Sequence, residues 1–204
     1  MADKLSRAKL ARVAWRLNRA SHSDLPPLVL MTDDERLPDP LAAAAVLPRG
    51  SMVILRTRDW ARRAAMASAL LPIVRERHLT LSIANDPDLA RRIGAHGVHF
   101  SEAAMREASH WRVLRPHWIL TVPAHSLAAC ATAKRLGADA VLLSPIFATR
   151  SHPGEPHFGA VRAMLIARQS PLPVYALGGI NAASASQLKD SRFAGLAAIG
   201  ALHV

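Results

Sequence analysis

The chain has 204 residues, half of them apolar and 20% charged, which suffices for a buried core and excludes general disorder. Its 26 Lys and Arg against 15 Asp and Glu leave a formal net charge of +11, an excess that favours phosphate-bearing partners without choosing between nucleic acids and small metabolites. One cysteine, Cys130, excludes an intramolecular disulfide; with no run of eighteen apolar residues and no secretory leader pattern, a cytoplasmic protein without a membrane span is expected.

Residues 1–24 read as a basic helix. Lys4, Arg7, Lys9, Arg12, Arg16 and Arg19 are expected on its solvated face, with Leu5, Ala8, Val13 and Leu17 packing inward. The aromatic residues are scattered and form no basic ribbon on which bases could stack, so nucleic acid is not an expected partner.

Residues 25–204 read as one barrel-sized unit of repeated strand and helix patterns. "PLVLMTDD" precedes a helical 40–47, "SMVILRTRD" a helical 59–77, and "LTLSIAND" a helical 87–93. "HGVHFSE" leads to a less regular stretch ending near Pro116. "HWILTVPAHS" precedes 126–137, "ADAVLLSPIF" precedes 159–169, "LPVYALGG" precedes 182–190, and "GLAAIGAL" comes last. Continuous apolar strands alternating with helices indicate a parallel sheet buried on both faces. Eight such units favour a (β/α)₈ TIM barrel, although periodicity alone leaves an open doubly wound sheet in play. Little sequence follows the eighth run, so the last helix is expected to be truncated and the extra N-terminal helix to cover part of the barrel wall.

In such a barrel, chemistry belongs to the loops after the strands. Those loops carry Thr32 and Asp33, Arg56 and Arg58, Asn85 and Asp86, Ser101 and Glu102, then His125 and Ser126. They continue with Thr149, Arg150, Ser151 and His152, then Gly178 and Gly179, then Gly200. Glycines at a strand end let backbone N–H groups approach an anion, and barrels recurrently bind phosphate on the loops after strands seven and eight. "LGGIN" and "AAIGAL" occupy those places, so a small phosphorylated substrate is expected there.

Four stretches, "ANDPDLARRIGAHGVHFSE", "AHSLAACATAKRLGADAVLLSPIFATRSHPG", "LGGI" and the closing "GLAAIGAL", resemble the thiamine phosphate synthase and TenI family over roughly residues 27–202. The resemblance implies that Gly178, Gly179, Ile199 and Gly200 hold the phosphate of a thiazole phosphate. A synthase of this family joins an aminopyrimidine diphosphate to that thiazole and loses pyrophosphate, with Mg²⁺ and basic residues on the leaving group. The family's Gln-Leu-Arg-Glu-Lys motif is here Ile54-Leu55-Arg56-Thr57-Arg58. Asn85 and Asp86 match its asparagine and first metal aspartate, whereas the second metal aspartate falls on Ala104 and Glu102 is out of register. Its Thr-x-Thr-Lys becomes Thr149-Arg150-Ser151-His152.

The TenI branch isomerises a thiazole carboxylate phosphate by moving a proton and needs neither diphosphate nor metal. His125 in "PAHS" takes its histidine position, and an imidazole suits that task near neutral pH. Because the substitutions fall on the diphosphate side, the preferred expectation is a tautomerase without a cofactor, with His125 and Arg56 as the catalytic pair. Arg58, Asn85, Thr149, Arg150, Ser151 and His152 are then expected to bind substrate beside the glycine loops. The alternative is a divergent, Mg²⁺-using synthase with Arg56, Arg58, Asp86 and Arg150 around the diphosphate; a third reading is an inactive phosphate-ligand binder or partner subunit. His99 is expected to be a satisfied barrel histidine, and a homo-oligomer is compatible with the sequence.

Overall fold

Eight short strands each pair in parallel with the next, and the last returns to the first. In the computed structural model they are β1 (Leu28–Met31), β2 (Met52–Leu55), β3 (Thr80–Ala84), β4 (Gly97–His99), β5 (Ile119–Ala124), β6 (Ala140–Leu143), β7 (Val174–Ala176) and β8 (Gly195–Ala198). Leu28 of β1 stands beside Leu196 of β8, so the sheet closes into a barrel in chain order and the open-sheet alternative falls away. The structure describes residues 2–149, 154, 156–189 and 191–202.

The strands are mostly apolar because both of their faces are covered, with Ser82, His99 and Thr121 as buried polar members. Val29, Met31, Met52, Ile54, Ala140, Leu142, Tyr175 and Ala197 form one buried cluster, the barrel interior. Their neighbours in sequence, among them Leu28, Leu30, Val53, Leu55, Val141 and Leu143, belong to a second cluster that receives the helices. This period-two split is what a strand does with successive side chains.

The helices are α1 (Ala2–Ser21), α2 (Pro40–Ala45), α3 (Trp60–Arg77), α4 (Pro87–Ile93), α5 (Glu107–Leu114), α6 (Leu127–Arg135) and α7 (Gly159–Gln169). Four start on a side-chain cap: Asp39, Asp59, Asp86 and Ser126 each accept a backbone N–H from the first turn. Each such cap is worth about 1 kcal/mol and fixes where the preceding loop must turn into its helix. Asp86 therefore sits at the β3 exit for a structural reason, whatever else it does.

The helix expected at 182–190 is instead a 3₁₀ turn over Ser184–Leu188. The Ser184 hydroxyl donates to Gly179 O at 2.8 Å, and Asn181 Oδ1 accepts the N–H groups of Ala183 and Ser184. These local bonds satisfy the turn without an α-helix. A second 3₁₀ turn, Gly200–Leu202, stands where the truncated last helix was expected.

α1 lies against β8, β1 and the 184–188 turn, the wall where the described residues carry only 3₁₀ turns. Its packed face is Leu10, Ala11, Ala14, Leu17 and Asn18. The expectation of Leu5, Ala8 and Val13 inward is corrected except at Leu17: Leu5 is 75% exposed, Ala8 is exposed and Val13 is only half-buried. The 10, 14, 17, 18 spacing is the stripe of one helical face, and counting apolar residues alone had missed the polar member that locks it. Asn18 Nδ2 donates to Leu25 O at 2.8 Å and to Ala194 O at 2.9 Å, tying the helix to the entries of β1 and β8. No helix among the described residues is long and apolar enough to cross a membrane.

Candidate active site

The loops after the strands gather at one mouth of the barrel, and its two sides are built differently. On the β6 to β8 side the material is backbone. Gly178 and Gly179 follow β7 at φ +93° and +64°, values that glycine adopts without strain. A Cβ on Gly178 would meet Pro145 Cα at 2.8 Å, and one on Gly179 would meet Ala148 O at 2.6 Å and Phe147 Cβ at 2.8 Å. The pair is thus pressed against the loop after β6, which reaches back through Ile146 N to Leu177 O (2.9 Å) and Phe147 N to Gly178 O (3.1 Å). Neither glycine N–H donates to another described residue, so both remain for a ligand oxygen. Half-buried Ile199 and exposed Gly200 continue this side after β8, and half-buried Thr149 lies on the β6 loop. Arg150, Ser151 and His152 lie outside the described residues.

On the β1 to β3 side the material is charge. Thr32 laces β1 to β2: its hydroxyl oxygen accepts Arg56 N at 2.8 Å and its hydroxyl donates to Arg56 O at 3.2 Å. Asp33 Oδ2 then accepts both Arg56 Nη1 at 2.9 Å and Arg36 Nη2 at 2.7 Å. The hydrogen bond from Arg36 chiefly, against a smaller cost of burial, holds the Asp33 carboxyl far below the usual carboxylate range. Arg56 extends the inward-facing row of Met52 and Ile54, so its guanidinium rises from the floor of the mouth. Arg58 is exposed and gives its backbone N–H to Asp34 Oδ2 at 3.0 Å.

Asn85 adopts φ +51°, a left-handed conformation that asparagine tolerates better than most residues, and its Oδ1 accepts Ser101 N at 2.6 Å. That turn delivers Asp86 to the head of α4, where Oδ1 accepts Leu89 N at 2.9 Å. Its other oxygen accepts Arg63 Nη1 at 3.3 Å. Arg63, from the first turn of α3, also gives Nε–H and Nη2–H to Thr57 O at 2.9 and 2.6 Å.

Two histidines complete the mouth. His125 is exposed, and Nδ1 lies 2.7 Å from Ser144 O. A carbonyl only accepts, so Nδ1 carries the hydrogen and Nε2 of the neutral ring presents a lone pair. His99 is buried inside the barrel, with Nδ1 2.9 Å from Thr121 Oγ1. Burial first, and the positive charge of Arg56 second, push its pKa down to about 4, so it stays neutral under the arginine.

Of the residues named from the sequence, those the structure describes fall on one mouth, glycines and Thr149 on one side and Arg56, Arg58, Asn85 and Asp86 on the other, with His125 on the β5 loop between them. In a ring closed in chain order, the β2 and β3 exits face those of β6 and β7. The family model for thiamine monophosphate synthase matches residues 28–202, spanning the whole barrel and both sides of this mouth. The chain belongs to the thiamine monophosphate synthase/TenI family. It is 33% identical over 162 residues to a putative thiamine-phosphate synthase 2 of Aquifex aeolicus, covering 77% of this chain and 87% of that one. With a thiamine-phosphate synthase of a Roseiflexus species it shares 30% over 171 residues, covering 82% and 72%. The thiamine phosphate pyrophosphorylase structure from Pyrococcus furiosus superposes with a TM-score of 0.70 over 84% of each chain, at 21% identity, a likeness of fold.

Membership places the protein in thiamine biosynthesis as an enzyme acting on small phosphorylated substrates, and it raises the question of Mg²⁺. The donor set does not fit that ion. Both Asp86 oxygens are engaged, the Asn85 carboxamide oxygen is spent on Ser101, and Ala104 stands where the family has its second metal aspartate. Among the described residues no group of three or more His, Cys, Asp or Glu could hold a metal. An ion on Asp86 would also face the Arg63 guanidinium; unit charges 4 Å apart repel by about 4 kcal/mol at an effective dielectric of ~20, and a divalent ion doubles that.

Sequence reasoning missed Arg63, Arg36 and the role of Asp33. Arg63 left one signal: it lies four residues after the cap Asp59, in the first turn of α3, where a side chain can return to the loop.

Proposed function

We propose that the protein is a thiamine phosphate synthase, displacing pyrophosphate from an aminopyrimidine diphosphate with the nitrogen of a thiazole phosphate. The observation that carries this reading is the presence of two anion-binding arrangements on facing sides of one mouth: free glycine N–H groups after β7 and an arginine cluster after β1 and β2. A tautomerase substrate with one phosphate ester and one carboxylate needs the first and a single arginine of the second, whereas a leaving diphosphate employs the whole cluster. The relatives named as synthases favour the same choice over the tautomerase preferred from the sequence.

The thiazole phosphate docks its phosphate on Gly178, Gly179, Ile199 and Gly200, with Thr149 on the adjoining β6 loop. Its ring nitrogen then points across the mouth. The nitrogen lone pair forms the new N–C bond to the pyrimidine methylene carbon, the C–O bond to the diphosphate breaks, and that electron pair leaves with pyrophosphate. Negative charge grows on the leaving oxygens as the bond stretches, and donors already aimed there stabilise the transition state more than the ground state. Arg56 is such a donor, because Asp33 and Thr32 hold it in place before substrate arrives. Arg58 adds a second guanidinium from an exposed position, and Asn85 orients the β3 exit. No proton transfer is needed, which leaves His125 to line the mouth.

Incubating the purified protein with both substrates and following thiamine phosphate and pyrophosphate together tests the reading. Equal amounts of the two products are expected. Absence of both, with His125-dependent isomerisation of the thiazole carboxylate phosphate, would return the function to the tautomerase.

A further inference from the structure

We propose that Arg63 stands in place of the metal ion at Asp86, so that this site grips the diphosphate through a built-in guanidinium and works without a divalent cation. The inference rests on the synthase reading for its substrate and goes beyond it in naming the cation.

Arg63 is set like a ligand, not like a surface charge. Its side chain is 15% exposed and that of Asp86 20%, so the pair is largely enclosed between the β2 and β3 exits. Of the five N–H groups of a guanidinium, Nε–H and one Nη2–H go to Thr57 O, the other Nη2–H reaches Arg58 O at 3.5 Å, and one Nη1–H goes to Asp86. One Nη1–H is left without a partner among the described residues. The backbone carbonyls thus hold the cation, Asp86 orients its outer edge, and the spare donor lies beside the carboxylate on which the metal would have been expected.

Arg63 also leans on the segment that carries Arg56 and Arg58, since its two carbonyl anchors are Thr57 and Arg58. The guanidinium is covalently supplied, unlike a metal; its one spare N–H can donate to a phosphate oxygen, and its fixed positive charge acts on the rest of the diphosphate. The loss of the second acidic position at Ala104 fits the same exchange: with a fixed monocation in place, a second carboxylate would have no ion to bind.

Calorimetric titration with inorganic pyrophosphate, in EDTA and again in Mg²⁺, tests this directly on the whole chain. The wild type is expected to bind in EDTA, and Mg²⁺ is not expected to tighten the complex. Arg63→Gln is expected to weaken binding in EDTA at least about tenfold, the loss of one charge-assisted hydrogen bond, while titration with a phosphate monoester at the glycine side stays unchanged. Wild-type binding that appears only with Mg²⁺, or Arg63→Gln binding as the wild type does, would overturn the proposal. The wild-type comparison needs no variant, so a poorly folded Arg63→Gln does not shelter it. Pyrophosphate binding in EDTA without thiamine phosphate formation would sink the synthase reading and leave this one standing. Turnover abolished by EDTA would do the reverse.

Discussion

The two sides of the mouth differ in what they are made of. The β7 side is backbone: Gly178 and Gly179 in left-handed conformations, packed onto the loop at 145–148 so closely that a single Cβ has no room. The β1 to β3 side is a chain of ion pairs, Arg36–Asp33–Arg56 and Arg63–Asp86, held by side chains that can be exchanged one at a time. A cradle of backbone amides has few alternatives in sequence, whereas a cation can be supplied by lysine, arginine or a metal. The first side therefore keeps the family pattern and the second departs from it.

Substitutions should separate the two sides by kind of damage. The largest effect is expected for Gly179→Val, where a branched side chain meets Ala148 O in a left-handed backbone; a loss of about 3 kcal/mol or more in chemical unfolding and loss of phosphate ester binding should appear together. A variant that kept both would break the claim that backbone geometry makes this side. Next is the pH dependence of stability set by His99 beneath the arginines. Its folded pKa of about 4 lies below the ordinary 6.5, so the unfolded chain binds a proton the folded one refuses. Its contribution is full above pH 6.5 and declines as pH falls towards 4, by up to about 3 kcal/mol. His99→Gln should flatten that slope in unfolding curves taken across the window; an unchanged slope would remove His99 as its source.

On the charged side, Arg56→Ala should lower kcat/KM about 100-fold while costing no more than ~1 kcal/mol of stability, because the Arg56–Asp33 pair is partly solvated. Equal damage to fold and rate would make Arg56 structural. The smallest effect is expected at His125. With Nδ1 committed to Ser144 O and no proton transfer in the proposed condensation, His125→Ala should slow thiamine phosphate formation by less than about tenfold, against the 10²–10⁴-fold that a general acid–base role would show.

The same contrast explains what the sequence disclosed. Eight apolar runs were legible because a strand covered on both faces has few polar positions, and the glycine pair was legible because its conformation restricts the residue type. Asn85 and Asp86 could be placed at the β3 exit for a similar reason, since a left-handed asparagine followed by a cap is a local pattern. The pairs Asp33–Arg56 and Asp86–Arg63 are not local: each spans 23 residues and two neighbouring strand exits, so only the parallel pairing of those strands brings them together. The inward face of α1 was misjudged for a related reason. Asn18, a polar residue buried for its two backbone bonds, fixes the helix rotation, and apolar counting passes over it.

The proposed condensation requires that two anionic ligands bind at one mouth at once. Titrating a thiazole phosphate into the protein saturated with pyrophosphate measures this, with Arg56→Ala and Gly179→Ala as controls for each side. Full binding of the thiazole phosphate in the presence of pyrophosphate, with each control losing only its own ligand, is the predicted result. Mutual exclusion of the two ligands would contradict it, because a single shared phosphate site cannot hold both partners of the condensation.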